Sequence, residues 1–182
     1  MLVYPKEKIL FIHIPKNGGA VFLNYGKINK KQWGVYQKTH TQINTEIYKK
    51  YKNWNIVTIV RNTYERLVSL YRFRCMIKKS ESFKTFEDFV LKFAHKELLF
   101  NQLDYISIDD KIVANKIIIY DKNGLTTQIA KVFGDTKFKL PLKNKLTHFY
   151  GKYDWKSYYT PKALEEVNKY CKKEIEYFKF KE

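Results

Sequence analysis

Three observations predict a three-layer α/β fold with a mainly parallel central sheet flanked by helices. Three apolar runs of strand length stand at 8–14 (KILFIHI), 54–60 (WNIVTIV) and 116–120 (KIIIY), and continuous apolar runs of this size are the pattern of strands covered on both faces. Helical periodicities and capping signals fall between and after them, and strand–helix alternation builds parallel sheets. The chain of 182 residues at 22.0 kDa, 45% apolar and 17% aromatic, has material for a core and fits a single domain over 1–182.

The elements follow in order. The first run ends at Pro15, and Pro-Lys-Asn-Gly-Gly at 15–19 is turn chemistry ahead of a helix from Ala20 to about Lys27. A helix is expected over Thr41–Tyr51, before the second strand. The strongest helix follows: Asn62 caps it, Glu65 completes a capping box, and Tyr64, Leu67, Val68, Tyr71 and Cys75 share one face. Cys75 on that stripe is expected as a buried thiol, and the pair Cys75 and Cys171 has no metal spacing. Thr85 caps a helix to about His95, Gly124–Phe133 is a further helix, and 137–154 reads as a Lys- and aromatic-rich surface loop. Thr160-Pro161 opens a last helix to about Phe178, with Pro at the tolerated first position.

Charge narrows the partners. Lys and Arg number 35 against 18 acidic residues, a net +17, with a pI near 9.7. Such a field attracts polyanions of any kind. Only four of the basic residues are arginines, at 61, 66, 72 and 74, and Arg is the favoured reader of phosphates and base edges. Helix-turn-helix, RRM and zinc spacings are all missing, so nucleic acid is not the expected partner. No stretch approaches the roughly 18–20 apolar residues needed to cross a bilayer. The segment Met1–Lys8 has no secretory apolar stretch, and a soluble cytoplasmic protein is expected.

Two constellations carry chemistry. In the first, glycines at a strand-to-helix turn let backbone N–H groups face a ligand, the helix N-terminus adds partial positive charge, and Lys16 supplies a mobile cation. This is a phosphate-cradle design without the G-x-x-x-x-G-K-[ST] of nucleoside-triphosphate P-loops, which disfavours a nucleotide kinase. In the second, Arg61 ends a strand and Ser69 follows eight residues later. At ~1.5 Å rise per residue the helix start and Ser69 lie roughly 10 Å apart, a span that a folded-back Arg side chain and a hydroxyl can share across one anion. Arg66 and Arg72 flank Ser69 on its own face, and the plainer alternative is an exposed basic face on an amphipathic helix.

Together these segments resemble the sulfotransferase superfamily, in particular its carbohydrate-sulfotransferase-like branch. There a P-K-[TS]-[GA]-G-[TS]-[ST] turn holds the 5′-phosphosulfate of 3′-phosphoadenosine 5′-phosphosulfate (PAPS), and R-[ND]-P-x-x-R-x-x-S holds its 3′-phosphate. This chain reads Pro15-Lys16-Asn17-Gly18-Gly19-Ala20-Val21 and Arg61-Asn62-Thr63-Tyr64-Glu65-Arg66-Leu67-Val68-Ser69. Weaker likeness covers 85–90, 102–105 (QLDY), 116–125 and 158–180, where the family's usual Asp appears as Glu174.

The resemblance implies a P-loop-like arrangement of the fold and a PAPS cofactor leaving PAP, with no metal. It implies cofactor contacts from Lys16, Asn17, Gly18, Gly19, Ala20, Val21, Arg61 and Ser69, and from Asn144 and Lys145 in the later loop. His40, in Lys38-Thr39-His40-Thr41, stands where relatives carry the catalytic base, and an imidazole suits that role. Lys16 would stabilise charge on the transferred sulfuryl group. His13 lies near the cradle as well, and Trp33, Trp54 and Trp155 are expected as core or adenine-edge packing. Ala20 and Val21 replace the family's hydroxyl residues and Thr63 its Pro. Each lost hydrogen bond to a charged group is worth ~1.5–3 kcal/mol, so affinity or rate is expected to fall.

The implied reaction is sulfuryl transfer to a hydroxyl or amine of an acceptor, with a carbohydrate, acidic in keeping with the basic surface, as the expected class. Two alternatives stand beside it: a catalytically inactive relative that binds PAP or PAPS, and a basic nucleic-acid-binding domain. Oligomeric state is not legible.

Overall fold

The computed structural model describes residues 1–36, 40–77, 83–93, 101–135 and 153–182. In order, the elements are β1 (Leu2–Tyr4), β2 (Ile9–Ile12), α1 (Gly19–Ile28), β3 (Gly34–Val35), α2 (Thr45–Tyr51), β4 (Asn55–Val60) and α3 (Thr63–Tyr71), which runs into a π-helical segment, Arg72–Ile77. Then come α4 (Phe86–Phe93), α5 (Leu103–Ile106), a small hairpin of β5 (Ser107–Ile108) and β6 (Lys111–Ile112), β7 (Lys116–Ile119) and α6 (Leu125–Val132). A 3₁₀ turn, Lys156–Tyr158, precedes α7 (Pro161–Tyr170) and α8 (Lys172–Phe178). The chain groups into two compact units, Met1–Arg61 with Gln102–Leu140, and Asn62–Asn101 with Pro141–Glu182.

The first unit holds the central sheet, in the order β3-β1-β2-β4-β7. The α/β class and the helix-flanked sheet are as the sequence predicts. The sheet itself is mixed. β2, β4 and β7 pair in parallel, Phe11 facing Val57 and Thr58 facing Ile117, whereas β1 pairs antiparallel with both β2 and β3. The parallel part is the part whose strands are joined through helices, and β1 turns straight into β2 across four residues, a connection that only an antiparallel pair allows.

Along β2 and β4 successive side chains point to opposite faces, and both sets are buried. Ile9, Phe11, Val57 and Ile59 pack with Phe22 and Tyr25 of α1 and Leu125, Ile129 and Ala130 of α6, while the opposite-facing Leu10, Ile12, Ile56 and Val60 are buried too. β7 departs from the expectation of a third buried strand. It is an edge among the described strands, Ile118 enters the core, and Ile119 is 46% exposed.

α2 starts four residues later than the periodicity suggests. The Ile43 N–H is held by the Tyr105 carbonyl at 3.1 Å, and Asn44 caps the helix by accepting from the Ile47 N–H at 2.9 Å. Trp33 packs on this unit's core and Trp54 on the Tyr51 ring.

The second unit has its own core, formed by Tyr64, Leu67, Val68, Tyr71, Phe86, Phe89, Val90, Ala163, Val167 and Cys171, with Trp155 packed against it. Asn62 caps α3, accepting from the Tyr64 and Glu65 N–H groups at 3.0 and 3.4 Å. The apolar stripe holds to Tyr71, but Cys75 is only half-buried. Cys75 lies in the π-helical segment 72–77 and still packs against this same core. Thr160 caps α7 through the Ala163 N–H at 3.2 Å. The expected single closing helix is divided at Cys171, whose φ of −102° and ψ of 12° leave the helical range.

Candidate functional site

The cradle lies in the first unit, where β2 gives way to α1. Two consecutive features shape the turn. Lys16 adopts a φ of 70° and Gly18 one of 84°, both left-handed. Gly18 is the N-cap of α1, and no side chain caps that helix, so its first turn presents backbone N–H groups and the positive end of the dipole. A Cβ on Gly18 would come within 3.0 Å of Leu125 and 3.1 Å of the Tyr120 ring, and one on Gly19 would overlap the His13 ring at 2.1 Å. Glycine is thus demanded here by close neighbours as well as by backbone conformation.

Asn17 is 1% exposed and anchors the turn from below. Its Nδ2 donates to the Ile59 carbonyl at 2.7 Å and to Gln102 Oε1 at 2.6 Å, whereas its Oδ1 is buried without a hydrogen-bond partner among the described residues. Gln102, fully buried, also accepts from the Arg61 N–H at 2.9 Å and donates to the Arg61 carbonyl at 2.8 Å. The Arg61 guanidinium donates to the Lys16 carbonyl at 3.2 Å and stacks on the Tyr120 ring, 4.6 Å from its centroid. Burial, and then the nearby Arg61 charge, lower the Lys16 ammonium to about 8.

Two imidazoles adjoin the turn. His40 Nδ1 lies 3.1 Å from the His13 carbonyl oxygen, and the two rings are 4.4 Å apart, centroid to centroid. A carbonyl only accepts, so Nδ1 must carry the proton, and in the neutral ring the lone pair is on Nε2. Desolvation lowers the His40 pKa, with the His13 hydrogen bond opposing and Lys16 assisting. His40 as a residue is exposed. His13 is held neutral more firmly: burial first, then the His40 charge and the α-amino group, push it down to about 3. Its Nδ1 is buried without a hydrogen-bond partner among the described residues.

The other expected residues are distributed as follows. Ala20 is exposed at the start of α1; the Val21 N–H bonds the Gly18 carbonyl at 2.8 Å, and its side chain packs toward the core. Ser69 belongs to the second unit, on α3, at 5% exposure. Arg66 beside it is fully buried, so the face is not the exposed basic surface of an ordinary amphipathic helix. Thr63 and Glu174, two of the positions where the chain leaves the family pattern, bond each other: the Thr63 hydroxyl donates to the buried Glu174 carboxylate. Asn144 and Lys145 lie outside the described residues, as do Lys38, Thr39 and His95. Among the described residues no three His, Cys, Asp or Glu side chains gather as a metal site.

Sequence reading missed Gln102 as a site residue, although it stands in the QLDY segment, and it missed Tyr120 under Arg61. Neither has a local signature, because each acts on groups 41 or more residues away.

A cation-bearing strand-to-helix turn in an α/β unit, with a fixed imidazole beside it, is an arrangement chemically suited to an anion. Residues 21–104 match the family model of the sulfotransferase domain. The matched span contains His40, Arg61, Ser69 and Gln102 and begins two residues past the 15–19 turn. No curated protein and no solved structure matches the chain.

Proposed function

We propose that this chain is a PAPS-dependent sulfotransferase acting on a hydroxyl or amine of an acceptor, a carbohydrate being the favoured class. The observation that carries the reading is the juxtaposition of Lys16, an uncapped helix N-terminus and the His40 ring held by its Nδ1 proton. The donor set fits a phosphosulfate: an ammonium and backbone N–H groups, all donors to anionic oxygen. When bound, PAPS would supply a sulfuryl group on a phosphate leaving group. Lys16, Gly18, Gly19 and the first N–H groups of α1 would hold that end, with Asn17 fixing the turn from below. Arg61 and Ser69 are assigned the 3′-phosphate, and Asn144 and Lys145 further cofactor contacts, by the family pattern alone.

In this reading His40 accepts the acceptor's proton at Nε2, the nitrogen left with a lone pair. Its lowered pKa keeps it neutral near pH 7, as a base must be. Lys16 offsets negative charge developing across the cradle. A single domain over 1–182 and a metal-free reaction complete the proposal.

Ala20, in a position where relatives carry a hydroxyl, favours a second reading, a PAP- or PAPS-binding relative without turnover. The test is transfer of labelled sulfuryl from PAPS to a panel of glycans by wild type, His40→Gln and Lys16→Ala. Turnover that drops by about 10²–10⁴ in His40→Gln, the usual worth of a general base, with nucleotide binding kept, supports the catalytic reading. Tight PAP binding without transfer in wild type establishes the second.

A further inference from the structure

We propose that Gln102 is a positioning residue of the anion cradle, a clamp that holds the Lys16 turn and the end of β4 in their binding geometry before any ligand arrives. The inference rests on the anion-binding reading above and goes beyond it in assigning a role to a side chain that touches no ligand.

The bonds form a closed circuit. From Gln102, one arm takes both backbone groups of Arg61, N–H at 2.9 Å and carbonyl at 2.8 Å, as a neighbouring strand would. Gln102 Oε1, which takes the Arg61 N–H, also accepts from Asn17 Nδ2 at 2.6 Å. Asn17 follows Lys16 in the chain, and the Lys16 carbonyl accepts from the Arg61 guanidinium at 3.2 Å, which closes the ring. Both amides are essentially fully buried, and the Asn17 Oδ1 is left without a hydrogen-bond partner among the described residues. Burying two amides, one of them half-satisfied, is a poor way to gain stability where apolar side chains would fit.

What the circuit supplies is geometry. The turn it holds contains a lysine in the left-handed region, at a φ of 70°, a conformation that costs free energy and persists only when its surroundings impose it. It also keeps two cations together that repel each other, since the Arg61 charge contributes to the lowered Lys16 pKa. A bound anion removes that repulsion, so the clamp matters most in the empty site. Its loss should therefore weaken binding without altering the bound site, as for any preorganising element.

The experiment titrates inorganic sulfate, followed through the amide resonances of Gly19 and Ala20, into wild type, Gln102→Met, Asn17→Ala and the double variant, with thermal melting alongside. Each single variant is expected to bind sulfate about tenfold more weakly, and the double variant no worse than Gln102→Met, because the two residues act in one circuit. In a sulfotransferase assay Gln102→Met raises the PAPS KM about tenfold and leaves kcat within about twofold, a split that a general loss of stability would not give.

Sulfate affinities within about twofold of wild type in the folded variants, whatever their melting temperatures, overturn the proposal. If Gln102→Met does not fold, Asn17→Ala, which leaves Gln102 on the Arg61 backbone, decides alone. Wild type that binds no sulfate at these amides also overturns it. A clamp effect on sulfate, in a protein that fails to distinguish PAP from ATP, would leave the clamp standing and remove only the sulfotransferase reading.

Discussion

At the scale of single residues, the cradle trades charge for proximity. The Lys16 ammonium is lowered to about 8 because it is buried and has Arg61 beside it. Two opposite pH dependences follow. Anion binding needs the protonated amine, so sulfate affinity should be level below about pH 7 and fall as pH rises through about 8, and Lys16→Arg should remove that step, since Arg stays charged. Folding goes the other way. Lys16 is a base with a lower pKa in the folded than in the unfolded chain, so between about 8 and the ordinary lysine value near 10.4 the unfolded chain binds more protons and stability rises with pH through this group. Sulfate titration and denaturant unfolding across pH 6–10 (two measurements that share Lys16 but not their sign) check both. A level affinity across pH 8 would show that Lys16 does not face the anion. Lys16, Gly18 and Gly19 were legible in the sequence because a turn between a strand and a helix concentrates the signal in five adjacent residues. His13 was visible only as a neighbour. Its intimate contact with Gly19 needs the helix to fold back on the strand, which no local pattern encodes.

At the scale of elements, α3 shows how a departure from a family pattern is compensated at a distance. Thr63 takes the place of a Pro that would preset the first helical turn. Asn62 caps that turn by accepting from the Tyr64 and Glu65 N–H groups, and the Thr63 hydroxyl meets Glu174 of α8, buried against it. Thr63→Val, which keeps the shape and removes the donor, should destabilise the protein by about 1–3 kcal/mol, the cost of withdrawing a hydrogen bond from a buried charged group. Adding Glu174→Gln should recover part of that loss. Denaturant midpoints of the two single variants and the double variant measure the coupling, and strictly additive values would mean that the bond contributes nothing.

Elements of this kind were legible where caps and apolar periods agree: Asn62, Thr160 and the strands at β2 and β4 all stand within a residue or two of their expected limits. The sequence was silent on β1 and β3, which are too short to show a period. It placed Cys75 on the right core but more deeply than its half-buried position, and it misled at Cys171, where the backbone leaves the helical range without a Gly or Pro to mark the change.

At the scale of the whole molecule, a charge field and a built site predict different behaviour. A net charge of +17 carried mostly by lysine attracts any polyanion, and such attraction weakens steeply with salt because it is driven by counterion release. A built 3′-phosphate site behaves differently, since short charge-assisted bonds in a partly buried setting are screened far less. PAP, AMP and ATP separate the two. A ligand that binds only the native state raises stability by RT ln(1 + [L]/Kd), about 2.7 kcal/mol at a hundredfold excess over Kd. If the sulfotransferase reading holds, PAP should raise the melting temperature well above the shift given by AMP or ATP, and the difference should persist at high salt. Arg61→Ala should erase it while the central sheet stays folded, because Gln102 holds the Arg61 backbone rather than its side chain. Equal shifts for the three nucleotides, or shifts that vanish together as salt is added, would mean that the lysines act as a general trap for anions. The match over 21–104 would then say nothing of activity, and the PAPS-dependent reading would fall.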